Sequence, residues 1–138
     1  MKRLLLVLLL CASALAVPAP YGASFDRSYQ KESDKEATIY SWRAGEPAQM
    51  QMVVTFSRHM RLPQLKRWLM ESLPSSIGHI QETRTRLYNS PAIEVEGLNF
   101  QGVPYTIAFF NHKGRSLICG SCTYDLARNR QFVRSLKL

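Results

Sequence analysis

Hydrophobic and polar positions alternate with period two along most of this chain, and switch to helical spacing only twice. Residues 37–42 (Ala-Thr-Ile-Tyr-Ser-Trp) read as a first strand. Residues 49–56 follow, with Met50, Met52, Val54 and Phe56 on one face and Gln49, Gln51, Val53 and Thr55 on the other. Such alternation marks a half-buried strand. Over 62–73 the period changes: Leu65, Trp68, Leu69 and Leu73 form one stripe, and Lys66, Arg67 and Glu71 take the opposite side. This predicts an amphipathic helix, with Pro63 in its first turn and Pro74 as its stop.

Four more strands are predicted at 81–88, 92–99, 103–110 and 115–123. Asn89-Ser90-Pro91, Gln101-Gly102 and Asn111-His112-Lys113-Gly114 separate them. Centring the first of these hairpins on Ser90 sets Arg84 opposite Glu96 and Arg86 opposite Glu94, a cross-strand charge pairing that would fix register. Ion-paired in this way, the two glutamates would stay charged and could not serve as a general acid. Asp125 then caps a closing helix over 126–138, with Leu126, Phe132, Val133 and Leu136 on its apolar face. Residues 17–36, rich in Pro, Ser and charge and without an apolar period, read as a flexible N-terminal arm. The expected fold class is α+β: a mostly antiparallel sheet with packed helices, forming a single domain over 37–138.

The N-terminus changes the picture of where the protein works. Lys2 and Arg3 precede an apolar run over 4–17, and Ala14-Leu15-Ala16 places small residues as a leader peptidase requires. The run is shorter than the roughly 20 residues of a membrane-spanning helix. Residues 1–16 therefore read as a secretory signal peptide, and the protein as exported, periplasmic or secreted. No transmembrane segment is expected after cleavage. The leader holds two of the 18 basic residues and none of the 10 acidic ones, which leaves the remainder at +6. A basic exported protein is drawn to anionic envelope components or acidic envelope proteins, and its export argues against nucleic acid.

Candidate chemistry is sparse. Arg58, Arg61, Lys66 and Arg67 cluster around the start of the first predicted helix, where the helix dipole favours acids instead. That makes them a candidate anion- or partner-binding patch. Cys119 and Cys122 are the pair left after leader removal, and an oxidising compartment favours a disulfide between them. Residues three apart on a straight strand point to opposite faces, so the bond requires a break at Gly120-Ser121. A redox site, half a metal site, or two unbonded thiols on an unbroken strand are the alternatives. The redox reading lacks a helix N-terminus behind Cys119, which would lower its pKa. The metal reading lacks partners, because His59, His79 and His112 stand at no ligand spacing. No Gly-x-Ser-x-Gly or phosphate loop is present, so no catalytic residue and no cofactor is expected.

The C-terminal half resembles the Mog1/PsbP-like superfamily. The likeness runs from Ser90-Pro91-Ala92-Ile93-Glu94-Val95-Glu96 through Tyr105-Thr106-Ile107-Ala108-Phe109-Phe110 and the turn Asn111-His112-Lys113-Gly114-Arg115 to Phe132-Val133-Arg134-Ser135-Leu136. The helix at 62–73 takes the place of that family's first long helix. The resemblance implies an α/β/α sandwich around an antiparallel sheet and an accessory or binding role without a shared active site. It does not extend to the cytosolic GTPase-binding role of the founding member, given the export signal. The expected function is an exported, non-enzymatic binding or accessory protein. The alternatives are a thiol-disulfide protein acting through Cys119 and Cys122, or an envelope immunity or inhibitor protein.

Overall fold

Seven strands form one fully antiparallel sheet in this computed structural model, which describes residues 19–45, 49–72 and 80–138. The signal peptide assigned to 1–16 lies outside the described residues, as do Leu73, Pro74 and His79. The strands are β1 (Gln30–Ser33), β2 (Ala37–Ala44), β3 (Gln49–Phe56), β4 (Ile80–Leu87), β5 (Ser90–Leu98), β6 (Pro104–His112) and β7 (Arg115–Cys122). Among the described residues two α-helices accompany them, α1 (Leu62–Ser72) and α2 (Leu126–Val133). The spatial order is β1-β2-β3-β7-β6-β5-β4. Two meanders, β1–β3 and β4–β7, are thus joined where β3 pairs with β7, the last strand in sequence and the central one in space.

This corrects the expected fold class. The protein is predominantly β, with helices of 11 and 8 residues, rather than an α+β sandwich of the Mog1/PsbP-like kind with helical layers packed on the sheet. The closing helix is the clearest case: it ends at Val133, and Arg134 caps it through backbone bonds to Gln131 and Phe132. Its start agrees with the sequence reading, because the Asp125 side chain accepts from the Arg128 N–H.

The sheet has two buried faces. The front face carries Met52, Val54, Phe56, Ile93, Val95, Ile107, Phe109 and Ile118, covered by Leu65 and Leu69 of α1. Trp68 adds its ring edge-on to Phe56, with centroids 4.9 Å apart. The back face carries Val53, Ala92, Ala108, Phe110, Leu117 and Cys119 beneath Phe132, Val133 and Leu136. The β3 alternation read from sequence therefore assigns the faces correctly, but its "polar" side is buried too. Gln51 has no exposed surface.

The segment read as a flexible arm is part of the fold from Ala19 onward. Phe25 packs on Phe132 and Tyr29, Ala23 is buried in the back core, and β1 pairs with β2. The Lys137 N–H donates to the Tyr21 carbonyl at 2.6 Å, tying this segment to the residues after α2.

The β4–β5 hairpin also departs from expectation. Its turn is Tyr88-Asn89, both residues at positive φ, with Leu87 opposite Ser90. A two-residue turn of this hand matches strand twist. It shifts the register so that Arg84 faces Ile93 and Glu94 faces Thr83. The glutamates find arginines elsewhere: Glu96 pairs with Arg130 and Glu94 with Arg134, both across to α2 and its C-cap. Arg130 holds the Glu96 carboxyl below the usual range, against partial burial, with the Thr106 hydroxyl assisting.

Candidate functional site

The Cys119-Gly120-Ser121-Cys122 stretch runs straight through the centre of the sheet, paired on both sides. Cys119 faces Val53 of β3 and Ala108 of β6, and Cys122 faces Met50 and Tyr105. No break occurs at Gly120-Ser121, so Cys119 points into the back core and Cys122 to the front face. Both cysteines are free, which corrects the expected disulfide. Bonding them would require tearing β7 from two neighbours. Redox chemistry between the two is excluded by the same geometry. Burial also raises both thiol pKa values, the reverse of what a redox cysteine needs; Cys122 is pushed up to about 11, partly offset by the Asn99 amide.

The thiols predict a protection pattern. Native protein treated with an alkylating reagent near pH 8 should label Cys122 slowly and Cys119 only through opening of the fold; both should label at once in denaturant. Because folded thiols titrate higher than the unfolded value of about 8.5, the stability they contribute is complete below that pH and is lost as pH rises toward 11. Native protein lighter by two hydrogens, with neither thiol available after unfolding, would overturn the assignment.

The basic run does not converge on one site. Arg58 reaches Glu36 at 3.4 Å, and Lys66 pairs with Glu82 on the edge strand β4. Arg61 and Arg67 are exposed. Arg67 shares a shallow surface hollow with Arg58, Glu36 and Glu71, so acids stand among the bases. Half the run is spent on tying α1 and the β3–α1 loop to neighbouring elements. Among the described residues no three His, Cys, Asp or Glu side chains come together as metal ligands, and no helix is long and apolar enough to cross a membrane.

A different feature has the character of a site. α1 lies mainly over β5 and β6, and beside it, among the described residues, part of the front face over β2, β3 and β7 stays open. A cavity of about 620 Å³ lies there, floored by Met50, Met52, Ile107 and Gly120 and walled by Trp68 and Leu69. This is within the size range of small-molecule sites, which are mostly apolar with a few placed polar groups. Gly120 shapes the floor: a Cβ there would meet Ile107 Cγ1 and Met52 Cε at 3.2 Å each. Without it, both side chains lie down against the sheet.

Tyr105 lines the same cavity from β6. The residue is 5% exposed, and its hydroxyl has no hydrogen-bond partner among the described residues. Burial pushes its pKa up, with the neighbouring Cys122 thiol a lesser cause, so it stays a neutral donor. Asn99 Nδ2 lies 3.6 Å from Cys122 Sγ, which completes a neutral polar corner. Phe100 (59% exposed) stands at the cavity's edge in the β5–β6 loop.

Sequence reasoning missed this site. Gly120 was legible as a mid-strand glycine, but as a bend instead of a cleared floor, and nothing local places α1 off-centre. The back-face polar groups contrast with Tyr105. Trp42 Nε1 and the Asp26 N–H both donate to Gln51 Oε1 at 2.8 Å, and Gln51 Nε2 donates to Asp26 and Ser121. That network is satisfied and holds structure together. Comparisons with known proteins add no identity: no family model matches the chain, and neither the curated proteins nor the solved structures contain a match.

Proposed function

We propose that this is an exported, non-enzymatic binding protein of the cell envelope whose ligand is a small, largely apolar molecule held in the front-face cavity. The observation that carries the reading is the Tyr105 hydroxyl, unpartnered among the described residues, in a mostly apolar cavity. A buried hydroxyl without a partner costs roughly 1–3 kcal/mol, and a ligand oxygen at Tyr105 would recover it. The leader-like N-terminus supports export. The neutral state of Tyr105 and Cys122 supports binding over acid–base or nucleophilic chemistry, since neither group is poised to give up a proton near neutrality. The splayed basic run lends no support to an anion patch at the start of α1.

The test is titration with a neutral apolar fluorophore such as N-phenylnaphthylamine. One probe per chain should bind with micromolar affinity. Ser41→Trp, which places a large ring in the cavity from β2, should weaken binding at least tenfold while leaving the melting temperature within a few degrees. Ile39→Trp serves the same purpose from the neighbouring inward position if the first variant folds poorly. Equal binding by wild type and a folded blocked variant sinks the reading.

A further inference from the structure

The cavity has two polar ends, and their separation describes the ligand. Arg43, Met50, Cys122 and Tyr105 occupy consecutive register positions across β2, β3, β7 and β6. Three strand steps separate Arg43 from Tyr105, about 14 Å between backbones. Arg43 is the one charged residue among the described residues lining the cavity, and no acid lines it with it. It is exposed and has no ion pair among the described residues. The opposite end, buried Tyr105 with half-buried Cys122 and Asn99, is uncharged, and between the two lies the thioether and aliphatic floor.

We infer that the ligand is a single-chain anionic amphiphile with a further oxygen part-way along its chain. The head sits at the exposed guanidinium, where it keeps some of its water. The chain lies over Met50 and Met52, and the in-chain oxygen (a hydroxyl, keto or ester group) accepts from the Tyr105 phenol. A head at the Tyr105 end would bury a negative charge with no cation near it, which is prohibitive. A plain alkyl chain would leave the phenol without a partner. The methionine floor suits such a ligand because unbranched thioethers adapt to a flexible chain.

This inference rests on the proposed cavity-binding function, and one experiment separates the two. Three competitors displace the bound neutral fluorophore: a mid-chain-hydroxylated eighteen-carbon fatty acid, the same acid without the hydroxyl, and the methyl ester of the hydroxylated acid. All are used below their micelle-forming concentrations. In wild type the hydroxylated acid should compete at least tenfold better than its ester and several-fold better than the plain acid. Arg43→Gln should erase the acid–ester difference and keep the hydroxyl preference. Tyr105→Phe should do the reverse. If the fluorophore binds but the ester matches the acid, or no lipid competes, or either preference survives its variant, the ligand class is wrong while the cavity function stands. If the fluorophore itself is not held in the cavity, both fall.

Discussion

Asn129→Ala is expected to destabilise the protein by about 3–5 kcal/mol, the cost of losing several buried hydrogen bonds at once. Asn129 has no exposed surface. Its Oδ1 accepts from Ser121 Oγ at 2.9 Å, the Thr123 N–H at 3.0 Å and Thr123 Oγ1 at 2.7 Å. Its Nδ2 donates to the carbonyls of Pro104 and Thr123, each at 3.0 Å. One side chain thus satisfies the backbone just past β7, the start of β6 and the Gln51 network through Ser121. Alanine removes five hydrogen bonds from a buried site; Ser121 Oγ keeps its bond from Gln51 and Thr123 Oγ1 its bonds with the Asp125 backbone. Urea unfolding should show the loss, with a fall in melting temperature of about 10–20 °C for a chain of this size. Asn129→Asp gives a second readout. A buried carboxylate there has its pKa raised, so that variant's stability should decline as pH rises through and beyond about 4. A loss under about 1 kcal/mol for the alanine variant would mean that the network is ornamental.

Deleting residues 17–36 is expected to remove a comparable or larger share of stability, at least about 4 kcal/mol, although the stretch reads from sequence as a flexible arm. The deletion strips Phe25 from Phe132, whose ring centroid lies 5.2 Å away, and exposes part of the back core. It removes the Asp26 carboxylate, which bonds Arg128 at 2.6 Å and accepts from Gln51 Nε2 at 2.9 Å. It also takes away the β1 ladder, leaving β2 as a raw edge. The control is a chain beginning at Ala19, which keeps every one of these contacts and should unfold at the same denaturant concentration as one beginning at Val17. If the long deletion also matches that control, the segment is an arm after all.

These two regions show where local reading stops. The alternation of β3 placed Met50, Met52, Val54 and Phe56 on one face because period two is a property of the strand itself. It could not reveal that Gln51 on the other face is fully buried, since its partners Asp26 and Ser121 lie 25 and 70 residues away. The arm at 17–36 has no apolar period because its apolar anchors, among them Ala23, Phe25 and Tyr29, dock singly. Isolated anchors carry no periodic signal. The β4–β5 register turned on Tyr88 and Asn89 adopting positive φ, which a tyrosine does seldom. Its hydroxyl, accepting from the Leu136 N–H and donating to the Val133 carbonyl at 2.6 Å, holds it there.

By itself the sequence determined what neighbouring residues decide: the strands from β2 onward to within a few residues, both helix starts, the Asp125 cap, and the faces of β3. Tertiary structure alone decided what depends on distant pairing. The mostly β character follows from the pairing of seven strands, distant in sequence, into one sheet. Glu94 and Glu96 are matched to Arg134 and Arg130 instead of to their hairpin neighbours because a two-residue turn reset the register. The cysteines are separated because β7 is paired on both sides, and a doubly paired strand cannot bend to join them. The cavity exists because α1 lies over β5 and β6, leaving Gly120, Met52 and Tyr105 to face an opening that no stretch of sequence contains.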